Sequence, residues 1–224
     1  MKPKRRIRII LAFAGLFLFF CISLTCLLPR YLHYKDQPLK ADAVVLFIGP
    51  DLDVRVKEAN RLLSEGYAKY LIVPAFNQVI NTAHKRLPVI NAEYSETKQT
   101  SIFSKYPRFY EDTHIEVLET KRIMDHFGFK KANFVSSPSH MRRIKLITDS
   151  VFLLRLKDGD TYHINYVPAY VGDKQHDTPS WDLESIKDVL EESIKIIWFF
   201  WTRHHISMTD WVLMSALTQN LRKV

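Results

Sequence analysis

Apolar positions along the chain fall into three regimes. Residues 9–28 form an unbroken run of twenty without a charge. Downstream, short apolar runs alternate with stripes of helical period. Ala43-Val44-Val45-Leu46-Phe47-Ile48 is continuous, rich in β-branched residues, and closed by Gly49-Pro50, the pattern of a strand buried on both faces. A helix follows, with Asp53 as the expected cap, Val56, Ala59, Leu62 and Leu63 on one stripe, and Gly66 as its stop. Tyr70-Leu71-Ile72-Val73 reads as a second strand, ended by Pro74. The grammar then repeats: Thr113 and Glu116 have capping-box spacing, Thr120, Met124 and Phe127 share a face, Gly128 ends the helix, and Asn133-Phe134-Val135 is a strand. A helix from Met141 to about Leu154 and a strand over Tyr162–Val167 complete the series.

Strands alternating with helices across short turns predict an α/β domain, with a parallel sheet covered by helices on both faces. Residues 77–110 break the rhythm, being polar and carrying Pro88 and Pro107, and are expected to be an insertion or lid loop. Beyond Trp181, Leu183, Ile186, Leu190, Ile194, Ile197 and Trp201 lie on one helical face, and a further helix is expected from about Met208. That face fits a core-packing C-terminal helix pair. A segment resting on a membrane surface is the alternative, because amphipathic aromatic rings favour that boundary.

The first regime sets the organisation. At about 1.5 Å per residue, residues 9–28 suffice to span a hydrocarbon core of about 30 Å. Five of the eight residues before them are basic (Lys2, Lys4, Arg5, Arg6, Arg8), so the formal charge of +8 falls to +3 for residues 9–224. The basicity is then mainly a topogenic signal rather than a nucleic-acid footprint. No small-x-small cleavage site follows Leu28, which favours an uncleaved signal anchor over a removed leader. The expected organisation is a cytoplasmic basic segment (1–8), a transmembrane helix (9–28), a tether (29–40), an extracytoplasmic α/β domain (41–180) and C-terminal helices (181–224). Both cysteines, Cys21 and Cys26, lie within the apolar run, leaving the exported body without a disulfide.

Ligands of open parallel sheets bind outside the carboxyl ends of the strands. The segment Ser136-Ser137-Pro138-Ser139-His140-Met141-Arg142-Arg143 occupies such a place. With Ser137 or Ser139 as the cap, Arg142 and Arg143 fall at the positive end of a helix dipole, an arrangement that an anion would relieve. Arg55, just after Asp51 and Asp53, is placed similarly. Removing Arg143 should then weaken binding of a phosphate-like group by about 1.5–3 kcal/mol and leave stability unchanged or slightly improved. His140 is the candidate acid or base, and Glu111 a second, whereas Glu116 is accounted for by capping. Exposed arginines paired with Asp51 and Asp53, and a plain loop histidine at 140, are the bland alternatives. There is no glycine-rich dinucleotide loop, P-loop, zinc-binding helix signature or nucleophile elbow, and His204-His205 lacks a third ligand; no metal site is expected, and the pattern names no cofactor either way.

Ala41-Asp42-Ala43-Val44-Val45-Leu46, Arg55, Leu62-Leu63-Ser64-Glu65-Gly66 before Ile72-Val73, Thr113, and Val135 through Arg143 together resemble the DUF218 family. That family takes in the YdcF-like, SanA-like and ElyC-like bacterial envelope proteins. The resemblance covers about residues 40–170, and a single N-terminal anchor with an exported domain is similar to the SanA-like members. It implies a Rossmann-like fold and a role in cell-envelope or peptidoglycan biogenesis at the inner membrane. It implies site roles for Arg55, Thr113, His140 and Arg143. The chain departs from the family pattern at Gly49-Pro50, at Pro74-Ala75, and at Thr113-His114-Ile115-Glu116. The expected ligand is an anionic, phosphorylated or lipid-linked envelope metabolite. If the protein is an enzyme, it is a hydrolase or transferase; a non-catalytic sensor or assembly factor is the alternative.

Overall fold

The computed structural model describes Phe13, Gly15, Leu16 and residues 27–81, 86–87, 111–153, 161–170 and 183–205. Six strands, β1 (Ala43–Leu46), β2 (Tyr70–Val73), β3 (Gln78–Asn81), β4 (Arg86–Leu87), β5 (Lys131–Ser136) and β6 (His163–Pro168), form one sheet in the order β4-β3-β2-β1-β5-β6. The β2-β1-β5-β6 portion is parallel. Among the described residues it is accompanied by α1 (Leu52–Ser64), α2 (Asp112–Phe127), α3 (Met141–Leu153) and α4 (Leu183–His205), besides a helical stretch over 27–32.

All four residues of β1 are buried, which explains its unbroken apolar run: the two sides of the pleat face different layers. Val44 and Leu46 pack with Ala59 and Leu62 of α1. Ala43, Val45 and Phe47 pack with Val117, Ile123 and Met124 of α2 and with Met141, Ile144 and Ile147 of α3. Gly66 and Gly128 take positive φ just past their helices, a conformation that a Cβ would strain.

The sheet is mixed rather than purely parallel. After β2 the chain reverses through a tight turn, Pro74–Phe76, ending at Asn77 in the left-handed region (φ 50°), and β3 returns antiparallel to β2. Asn77 tolerates this conformation, and its Oδ1 accepts a 2.6 Å hydrogen bond from Arg122 Nη2, which ties the turn to α2. Gln78–Asn81 is too short to show a period, so part of the expected insertion belongs to the edge of the sheet instead. Residues 88–110 lie outside the described residues.

The segment read as a tether is bound to the domain. Leu32 is fully buried, Asp36 pairs with the backbone of Tyr166, and buried Asn133 holds both the N–H and C=O of Leu39. Asp42 then accepts the amides of Lys130 and Lys131 at 2.8 Å each, fixing the start of β5 beside that of β1.

Helix α4 docks through Glu192, Phe199 and Thr202, whereas Ile186, Leu190, Ile194, Ile197 and Trp201 face outward. The stripe expected to pack into the core is therefore the exposed one. Among the described residues no helix is long and apolar enough to cross a membrane. Most of residues 9–28, and the helix expected from Met208, lie outside the described residues.

Candidate functional site

The carboxyl ends of β1 and β5 meet the first turns of α1, α2 and α3, and two connected polar clusters form there. The first centres on Arg55, whose side chain is 1% exposed. Its Nη1 donates to the carbonyls of Phe47 (3.1 Å) and Ile48 (2.8 Å), and its Nε donates to Ser137 Oγ (3.0 Å). Ser137 in turn donates to Asp51 Oδ2 at 2.8 Å. Arg55 Nη2 is buried without a hydrogen-bond partner among the described residues, as is the hydroxyl of Ser136 at the end of β5. The guanidinium lies over Gly49, where a Cβ would come within 2.5 Å of both Nη atoms.

Glu116 reaches the same place from α2. It is almost wholly buried, and its Oε1 accepts the Ile48 N–H at 3.2 Å. Burial pushes its carboxyl up to about 8, against the opposing pull of that hydrogen bond and of Arg55. Glu116 is not a cap. The N-cap position of α2 is Glu111, and no side chain caps the helix.

The second cluster centres on Arg143, likewise buried. It grips Glu192 of α4 through Nε–Oε2 (2.6 Å) and Nη2–Oε1 (3.2 Å). Its Nη1 donates to Glu111 (3.1 Å) and Thr113 Oγ1 (2.8 Å). Nη2 also lies 3.2 Å from His140 Nδ1. Because arginine only donates, that ring nitrogen accepts and the imidazole proton sits on Nε2. Burial pushes His140 down to about 4, so at neutral pH its 3.4 Å approach to Glu192 is not an ion pair. Burial raises Glu111, whereas Glu192, for which burial acts in the same sense, is held below the usual carboxylate range by Arg143.

His140, Glu111, Thr113 and Arg143 thus converge, and Arg55, Asp51 and Ser136 lie in the adjoining cluster. The charge that Arg143 was expected to hold ready for a ligand is met by Glu192 and Glu111. Arg142 is elsewhere: its Nε donates to the Tyr31 carbonyl (2.8 Å) and its guanidinium stacks on Tyr31 and Tyr34. Ser139 is half-buried in the turn Pro138–His140, whose N-cap position is Ser137, without a side-chain cap bond. Asp53 does not cap α1; Asp51 holds that position without a side-chain cap bond.

Glu116 and Glu192 were missed. Glu116 shares a face with Thr120 and Ile123 at helical spacing, a signal outweighed by the capping-box reading. Glu192 lies opposite the apolar stripe of α4, the face that its period predicts to be inward. No group of three or more potential metal ligands occurs among the described residues. A cleft of about 250 Å³, lined by Leu46, Ile48, Leu52, Val56, Val73 and Phe76 among others, opens beside Ile48. Comparison with known proteins finds no matching family model, no matching curated protein and no matching solved structure.

Proposed function

We propose that the domain binds an anionic, phosphorylated envelope metabolite at the carboxyl edge of β1 and β5, with Arg55 as its charged contact and Glu116 as the proton-holding group beside it. The supporting observation is the buried guanidinium whose Nη2 has no hydrogen-bond partner among the described residues, within electrostatic reach of a buried carboxyl group that keeps its proton near neutrality. Arginine is the side chain best suited to a planar grip on phosphate oxygens. A carboxylic acid raised by burial is suited to protonating a leaving oxygen, which supports hydrolysis or group transfer. The 250 Å³ cleft that Ile48 also lines suits an apolar portion of the same molecule.

The proposal includes the setting: a Rossmann-like domain of the DUF218 type, held outside the cytoplasm at the bacterial inner membrane by residues 9–28. Family membership rests on the quoted segments alone. A second reading, a non-catalytic sensor or assembly factor, is favoured by one observation. Arg143, Glu192, Glu111 and His140 satisfy one another and act as a clasp holding α4 rather than as free catalytic groups.

Thermal melting of the full chain in detergent, with inorganic phosphate or pyrophosphate, tests the reading. At a hundredfold excess over Kd, a ligand of the folded state adds about 2.7 kcal/mol, a rise of roughly 5–11 °C for a chain of this size. The rise should disappear in Arg55→Lys and persist in Arg142→Ala. An equal rise in both variants would exclude Arg55 as the contact.

A further inference from the structure

We infer that the exposed face of α4 lies in the surface of the bilayer that residues 9–28 would cross, so that the helix and the anchor together hold the domain against the membrane. The inference rests on the anchor reading above and adds a second, separate contact.

Three observations carry it. First, α4 is amphipathic in the sense opposite to that of a core helix. It is pinned inward by Glu192, 1% exposed, and by Phe199, while Leu190, Ile194, Ile197 and Trp201 are 55%, 65%, 68% and 53% exposed. A helix of 23 residues with Lys187, Glu191 and Lys195 on its surface is too polar to cross a bilayer but can lie in its interface.

Second, Trp198 and Trp201 stack at 5.0 Å on this outward side, and indole rings favour the headgroup boundary.

Third, Tyr31, just past the end of the apolar run, and α4 meet at one corner of the fold. Consecutive residues at the start of α3 hold both: Arg142 binds the Tyr31 carbonyl, and Arg143 binds Glu192. Between the end of the apolar run at Leu28 and buried Leu32 the chain is helical and only four residues long, a rise of about 6 Å. A membrane entered at Leu28 therefore passes close to the corner on which α4 sits. Lys187 and Lys195 are offset by Glu191, so the contact is apolar and aromatic rather than electrostatic.

The test uses the full chain with Trp181→Phe and Trp211→Phe, leaving the stacked pair as the only tryptophans. It is reconstituted into phosphatidylethanolamine–phosphatidylglycerol vesicles with and without phospholipid brominated in the upper acyl chain. The pair should lose most of its emission to the brominated lipid, with little change on adding salt. Ile194→Glu with Ile197→Glu, on the exposed side, should restore the emission while the protein still co-sediments with vesicles. Co-sedimentation with unquenched tryptophans overturns this inference alone; failure to co-sediment overturns the anchor as well. A mass doubled in detergent and returned to one chain by the two glutamates overturns it in favour of a second copy. A disulfide from Ile194→Cys to Cys21 or Cys26 overturns it in favour of the chain's own apolar run.

Discussion

Replacing Arg143 by alanine should be severely destabilising. The side chain is buried and makes a two-pronged contact with Glu192, which is itself buried, together with bonds to Glu111 and Thr113. Truncation leaves Glu192 without its principal counter-charge in a site that water does not reach, and Lys195, on the rim at 3.1 Å, replaces it only in part. Breaking a buried pair from one side costs about 3–5 kcal/mol. For a chain of this length that is a fall of roughly 6–20 °C in Tm, taking about 2–4 °C per kcal/mol. Arg143→Met combined with Glu192→Leu should recover most of the loss, because it removes both desolvated charges and keeps the volume. Thermal and urea melts of the full chain in detergent would measure both. A loss below about 1 kcal/mol for Arg143→Ala, or a double variant less stable than the single, would refute the clasp and return Arg143 to the role of a free anion contact.

Two further outcomes follow from the Arg55 cluster. Glu116 titrates near 8 in the folded protein and near 4.5 when unfolded, so the folded state binds the extra proton between those values. Stability should therefore fall, by on the order of a few kcal/mol, as pH rises from about 4.5 to about 8, and Glu116→Gln should flatten that slope in urea melts across the range. Gly49→Ala places a Cβ 2.5 Å from a guanidinium that three hydrogen bonds hold fixed; overpacking should cost about 1–3 kcal/mol by the same melts, and a neutral result would mean that Arg55 is free to move.

How much of this was legible in the sequence varies with the range of the interaction that decides it. The run 43–48 declared a doubly buried strand because six adjacent apolar residues admit little else. Gly66 and Gly128 marked helix ends because their conformation is local. The hairpin strand β3 was hidden, since four residues carry no period and its pairing with β2 is a tertiary fact. Arg55, His140 and Arg143 could be placed at the ligand-binding edge because their segments follow strands, whereas Thr113 and Glu111 open a helix, and Thr113 is implied by the resemblance alone. Their partners could not be placed. Glu192 lies 49 residues from Arg143 and Glu116 lies 68 from Ile48, and no local pattern announces a buried carboxylate that a distant group will hold. The direction of α4 was misread for a related reason: the larger apolar stripe was assumed to face the core, but one buried ion pair and Phe199 fix the helix the other way round.

The central claim is that Arg55 holds an anion from the cell. Native mass spectrometry of the full chain, released from nanodiscs made directly from membranes, examines it without presupposing the ligand. The wild-type chain should retain one anionic, phosphorus-containing adduct that Arg142→Ala keeps and Arg55→Lys loses. A wild-type chain that carries no such adduct, or an Arg55→Lys chain that carries the same one, would contradict it.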